Sequence, residues 1–152
     1  MSHSVQGRIL ALDLGRRRIG LAISDELLLT AQGLPTLERT NIREDLARLT
    51  QLATERGVTS ILIGNPVRMN GSEGAGSAWA REFAEKLEKH TGFQVRLWDE
   101  RLTTVEAERV LRDSGISREK RARAVDRLAA VILLQSYLES TSAAEGSGDQ
   151  AG

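Results

Sequence analysis

The first sustained pattern is Arg8-Ile-Leu-Ala-Leu-Asp-Leu-Gly15, which is apolar on both faces of a two-residue period apart from Asp13. Such a run predicts a central strand covered on each side by other elements. Arg18-Ile-Gly-Leu-Ala-Ile-Ser24 follows almost at once, with Ile19, Leu21 and Ile23 on one face and Gly20, Ala22 and Ser24 on the other. The short link Gly15–Arg17 makes the two an antiparallel hairpin. Ala31 to Leu37 is expected as a third strand. Gly33 and Pro35 inside it place it at a sheet edge.

Downstream the period lengthens. Asn41 is placed to cap a helix, with Glu44 to answer it, and Ile42, Leu46, Leu49 and Ala53 form the expected buried stripe up to Gly57. Thr59 to Gly64 (TSILIG) is a buried strand by composition. A glycine-rich loop, Asn65 to Gly76, then leads into a helix with Ala80, Phe83, Ala84 and Leu87 at helical spacing. Phe93 to Asp99 is the last predicted strand. Thr103 and Glu106 make a capping box for a helix that Gly115 ends, and a final helix runs from about Ala122 to Leu138. The segment 140–152 is small, polar and glycine-containing, and is expected to be a disordered tail. The predicted architecture is α/β, one domain over residues 1–139, with one mixed five-stranded sheet and helices on both faces.

Composition narrows the chemistry. A chain of 152 residues fits one domain with a real core. It has no cysteine, which removes disulfides, thiolate nucleophiles and cysteine-ligated metals. Its two histidines, His3 and His90, have no histidine partner at metal spacing. Carboxylates therefore carry any chemistry. Basic and acidic residues number 21 each, which argues against a strongly basic, tail-driven nucleic-acid binder. Arginine makes up 18 of the 21 basic residues. Its planar fork suits phosphate, although a GC-rich genome produces the same bias. The start MSHSVQGR has no secretory apolar region, and the longest apolar run, Leu128 to Leu134, is far short of a membrane span. The expected setting is the bacterial cytoplasm, with no membrane partner.

Three acids sit where an acid is costly. Asp13 ends the most apolar strand on the face of Ile9 and Ala11, and needs hydrogen bonds, a counter-charge or a metal. A cap on the turn at Gly15 would also account for it. Asp126 interrupts a helix that is apolar nearly all round, and its neighbours one turn on, Ala129 and Ala130, cannot pair with it. An ion pair with Arg123 or Arg127 is the structural alternative. Asp99 and Glu100 end the last strand, outside whose carboxyl end ligands of open α/β sheets bind. Alternation sends Asp99 to the face of Val95 and Leu97 and Glu100 to that of Trp98, and a salt bridge to Arg101 is the plainer account of either. Separated carboxylates of this kind suit Mg²⁺, which takes carboxylate oxygens and keeps waters. Two such ions about 4 Å apart stabilise both oxygens of an in-line phosphoryl displacement.

Asp13-Leu-Gly-Arg-Arg-Arg-Ile-Gly-Leu-Ala-Ile-Ser-Asp25 resembles the opening motif of the YqgF/RuvX family of Holliday-junction resolvases and pre-16S rRNA nucleases. Three further blocks match in order: Ile63-Gly-Asn-Pro-Val-Arg-Met-Asn-Gly-Ser-Glu73, Asp99-Glu-Arg-Leu-Thr-Thr-Val-Glu-Ala-Glu108, and Val125-Asp-Arg-Leu-Ala-Ala130. The resemblance spans about residues 7–139. It implies an RNase H-like fold and a nuclease dependent on Mg²⁺ or Mn²⁺, with Asp13, Glu100 and Asp126 as metal-binding catalytic acids and Asp99 as the alternative second ligand. Asn65 departs from the family, which more often has leucine before the proline.

The basic residues near these acids are candidate nucleic-acid contacts: Arg16, Arg17 and Arg18 in the hairpin turn, Arg68 in the glycine-rich loop, Arg101, and Arg121 and Arg123 in the basic stretch 118–127. The loop is not a P-loop, for it lacks Gly-Lys-Ser/Thr, and is expected to act as a lid. Trp79, Trp98 and Tyr137 are expected in the core. The resulting expectation is a metal-dependent endonuclease acting on the 5′ end of pre-16S rRNA, on four-way DNA junctions, or on both, as a monomer or homodimer. A non-catalytic nucleic-acid- or ribosome-associated factor of the same fold is the alternative. An ATP-hydrolysing relative of the sugar-kinase and actin group would need a second domain, which this length does not provide.

Overall fold

A computed structural model describes residues 7–65, 75–99 and 118–151. Its elements are β1 (Arg8–Leu14), β2 (Arg18–Ser24), β3 (Ala31–Glu38), α1 (Ile42–Glu55), β4 (Val58–Asn65), α2 (Ala75–Thr91), β5 (Gln94–Asp99) and α3 (Arg118–Ala151). The strands form one sheet in the order β3-β2-β1-β4-β5. β1 pairs antiparallel with β2, and β2 with β3, while β1, β4 and β5 run parallel. The mixed sheet with an interrupted edge strand β3 is as expected. The helix predicted between Thr103 and Gly115 lies outside the described residues.

The central place of β1 explains its apolar run. Leu10 and Leu12 face the α1/α2 layer, packed with Leu49, Ile61, Ile63, Phe83 and Leu87. Ile9 and Ala11 face the α3 layer, with Ala22, Leu62, Ala130, Leu133 and Leu134. The two layers differ in bulk, since alanines sit at the centre of the second. The register shifts between Arg8 and Ile9 on β1, and the buried Ser24 hydroxyl accepts the Ile9 N–H at 2.8 Å.

The β1–β2 turn is tight. Gly15 N–H donates to the Arg18 carbonyl at 3.0 Å, and a Cβ at Gly15 would lie 2.5 Å from that oxygen. Backbone cannot step aside as a flexible side chain can. Gly15→Ala should therefore destabilise the protein by about 1–3 kcal/mol, the usual range for overpacking. Urea unfolding measures this, and an unchanged midpoint would show that the turn relaxes freely.

Helix α1 departs from its predicted stripe. Leu46, Leu49 and Ala53 are buried, but Ile42 is 38% exposed and Asp45 is fully buried. The first turn lies at the rim, and its inward position goes to an acid because a cation waits there (below). Asn41 Oδ1 accepts from Glu44 N–H at 3.0 Å, while the Glu44 carboxylate accepts the Thr40 hydroxyl at 2.7 Å. Gly57, at φ +71°, follows the helix as expected of a terminating glycine. His90 joins α2 to α1 through its Nδ1 and the Thr50 hydroxyl, 2.9 Å apart.

Helix α3 begins at Arg118 and continues to Ala151, beyond both expected bounds. Leu138 is its last buried residue among those described. The Thr141 hydroxyl donates back to the Tyr137 and Leu138 carbonyls, and Ala143, Ala144 and Glu145 favour helix. Among the described residues, no helix is long and apolar enough to cross a membrane.

Candidate active site at the carboxyl ends of the parallel strands

The three parallel strands finish at one edge of the sheet. Leu12 pairs with Ile63 and Ile63 with Leu97, and two residues further Asn65 pairs with Asp99. Asp13 follows Leu12 and is half-buried. Its two-residue period puts it with Ile9 and Ala11, on the α3 side. Across the ladder Asp13 faces Gly20 on β2, which has no side chain to fill the space beside it.

Small residues also set the approach of α3. Ala11, Ala22 and Ala130 are each fully buried in one cluster. On β3, a Cβ at Gly33 would lie 2.5 Å from Cγ of Arg127, so the arginine stem lies across that glycine. The helix is seated at Arg127 and Ala130, and Asp126 lies between them and Val125 on the same turn of backbone. That arrangement accounts for Ala130, which packs on the sheet, while Ala129 packs beside Val125.

Asp13 is the one predicted acid whose side chain is described. Glu100, Arg68 and Arg101 lie outside the described residues, as do the side chains of Asp99, Arg121, Arg123 and Asp126. Among the described residues no three acids or histidines come together as a metal site. Arg16 and Arg17 are exposed at the hairpin tip, and Arg18 is half-buried where β2 begins.

On β5, Val95 and Leu97 pack against the α1/α2 layer, whereas Trp98 packs against the α3 layer. Trp98 meets Tyr137 edge to face, with centroids 5.1 Å apart, and its Nε1 donates to Ser136 Oγ at 3.4 Å. Both rings lean on the core but stay partly exposed, because their polar ends need partners.

Trp79 is partly buried and lies outside the core clusters of the described residues. Arg16 and Arg39 lie over its ring, with Cζ atoms 5.7 and 5.4 Å from the centroid. Arg39 also stands 5.3 Å from the Phe83 centroid. Its Nε donates to Asp45 Oδ2 at 2.9 Å and its Nη1 to the Gly15 carbonyl at 3.1 Å. Asp45 Oδ1 accepts from Thr40 N–H at 3.1 Å. This cluster ties β3, α1, α2 and the hairpin tip together two residues beyond Asp13. An acid facing inward among Leu46 and Leu49 was its only signal in the sequence.

Asn65 stands at the end of β4, not within the loop, and its Oδ1 accepts the hydroxyl of the fully buried Ser77 on α2. Asn65→Leu should leave that hydroxyl without this acceptor and cost about 1–3 kcal/mol. Adding Ser77→Ala should recover much of the loss. A double-mutant cycle by chemical denaturation measures the coupling, and a coupling near zero would dismiss the bond.

The sequence profile of the RuvX family, described as Holliday junction resolvase, matches residues 7–140. A protein of Koribacter versatilis named "Putative pre-16S rRNA nuclease" is 54% identical over 136 residues, covering 90% of this chain and 89% of its own. A Symbiobacterium thermophilum protein of the same name is 45% identical, with 90% and 94% covered. Among solved structures, T. thermophilus RuvC in complex with a Holliday junction substrate superposes with a TM-score of 0.55 at 15% identity, covering 89% of this chain and 96% of that one. Fowlpox virus resolvase with Holliday junction DNA gives 0.52 at 12%, with 88% and 98% covered. The fold is therefore the RNase H-like fold of RuvC-type resolvases, and the chain belongs to the RuvX family.

Proposed function

We propose that this protein is an endonuclease that hydrolyses phosphodiester bonds with divalent metal, water serving as nucleophile. Asp13, Glu100 and Asp126 are its acids in this reading. The observation that carries it is the seating of α3. The Ala11–Ala22–Ala130 contact brings the turn that bears Asp126 onto the face where β1 delivers Asp13. The β5 alternation, carried one residue past Asp99, favours Glu100 over Asp99 as the third acid, because Trp98 packs on the α3 side.

Carboxylate oxygens fit a hard cation, and Asp13 is half-buried at the end of β1 opposite Gly20. Bound Mg²⁺ or Mn²⁺ would supply charge stabilisation at the attacking and leaving oxygens. The chain's own contribution in this reading is to present the acids to the metal and to grip the strand. Arg16 and Arg17 are exposed for that purpose, with Arg18, Arg68, Arg101, Arg121 and Arg123 as further phosphate contacts. The family description and the relatives' names point to different substrates, Holliday junctions and pre-16S rRNA, and in the second case the 5′ end is the expected place of cutting. Both present phosphates to such a site, and the setting is the bacterial cytoplasm. A monomer suffices for RNA trimming, whereas symmetric cutting of a junction calls for a homodimer.

The test is cleavage of a labelled panel: a four-way DNA junction, duplex DNA, single-stranded RNA and a pre-16S 5′ segment. Each is run with Mg²⁺, with Mn²⁺ and with chelator. Metal-dependent cutting is expected, and the preferred member names the substrate. Binding without cutting under every condition would overturn the nuclease and leave a non-catalytic nucleic-acid factor.

A further inference from the structure

The hairpin tip has a second side. Asp13 belongs to the α3 face, but Arg16 turns over Trp79 on the α1/α2 side. There it helps to line a cleft of about 410 Å³ with Arg39, Thr40, Asn41, Asp45 and Trp79. That volume is within the range of small-molecule pockets and ample for a nucleobase.

The two guanidiniums on Trp79 are not equivalent. Arg39 is fixed by Asp45 and by the Gly15 carbonyl, and its charge is matched. Arg16 is exposed, and its guanidinium lies over the Trp79 ring. A stacked guanidinium at a wet surface holds by only about 0.5–1 kcal/mol. A nucleobase stacks on an aromatic ring for about 1–3 kcal/mol. A base can therefore displace Arg16 from the ring, and the freed guanidinium is then available to the adjoining phosphate.

Position links the cleft to the acids. Arg16 is three positions after Asp13, a Cα span of at most about 10 Å even when extended. A strand with its phosphate at Asp13 would cross the hairpin tip and reach Trp79 within a few nucleotides. A base in a duplex has no free face to stack. We propose that Trp79 and Arg16 form a subsite for an unpaired nucleotide flanking the scissile phosphate, so that the substrate has a single-stranded segment there. This rests on the nuclease reading for its place in the reaction, but the binding itself needs neither metal nor cleavage.

The full chain carries two tryptophans. In a Trp98→Phe variant, which keeps an aromatic ring against Tyr137, fluorescence reports Trp79 alone. The variant is titrated in chelator with a single-stranded RNA, a single-stranded DNA and a blunt duplex of equal length. Quenching by single strands and not by the duplex is expected. Trp79→Leu in the wild-type background should weaken single-strand binding about tenfold, and Trp79→Phe should restore most of it. Absence of quenching by both single strands overturns the subsite, and so does a folded Trp79→Leu protein that binds them with wild-type affinity. If Trp79→Leu does not fold, the fluorescence titration decides alone. Cleavage of the panel without quenching removes the subsite and leaves the nuclease; quenching without cleavage does the reverse.

Discussion

Asp126→Asn should abolish cleavage while leaving the fold at least as stable as before. The substitution keeps the shape of the side chain but replaces an anionic oxygen with an N–H₂ donor, which points the wrong sign at a cation. A loss of at least about 10³ in rate, roughly 4 kcal/mol in the barrier, is expected with Mg²⁺ and with Mn²⁺ alike. Stability should move the other way. In the proposed site three carboxylates without a cation would repel one another, and removing one charge would relieve that repulsion. Thermal unfolding in chelator should thus give an equal or higher Tm. Asp13→Asn should behave in the same manner. Glu100→Gln should match them, whereas Asp99→Asn should keep most of the activity. Full cleavage by the Asp126→Asn protein would remove it from the site. A large fall in Tm would recast Asp126 as a structural ion-pair partner.

How much of this was legible in the chain depended on where the determinants lie. The run around β1 is buried on both faces, so its centrality and the oddity of Asp13 could be read from a two-residue period alone. The edge position of β3 followed from Gly33 and Pro35, since neither suits a central ladder. What periodicity could not give was the purpose of Gly33. Its partner, the Arg127 stem, comes from a helix far along the chain. Ile42 failed because a helical stripe extrapolated to the first turn ignores the rim, where tertiary contacts decide. Trp79 failed for a related reason. Aromatic residues at helical spacing are usually core, and only the convergence of Arg16 and Arg39 from two other elements makes this one a surface platform. Asn65 looked like a loop residue because the proline after it drew the boundary too early, and its partner Ser77 lies across that loop.

The Arg39–Asp45 pair should prove to be the costliest polar contact to break. The Asp45 side chain is 1% exposed and that of Arg39 13%. Asp45→Ala would strip Thr40 N–H of its acceptor and leave a guanidinium charge largely out of water. Removing one member of such a pair costs about 3–5 kcal/mol, because the survivor keeps its desolvation without its partner. For a chain of this size that corresponds to a fall in Tm of roughly 6–20 °C. Added salt should recover little of it, since screening acts weakly on buried charge. Replacing both members by apolar residues, Arg39→Met with Asp45→Leu, should restore much of the stability. It should not restore function to the same degree. Arg39 Nη1 also holds the Gly15 carbonyl, two residues from Asp13. With that tether gone, the hairpin tip that carries Arg16 and Arg17 loses its brace against α1 and α2. The double variant should therefore fold yet cleave more slowly than wild type, with the loss in kcat where the acid is displaced and in KM where the strand contacts are. Urea midpoints beside cleavage kinetics separate the two effects. A single variant costing under about 1 kcal/mol would mean that the pair behaves as a surface bridge. Wild-type kinetics in the double variant would mean that the tip needs no brace.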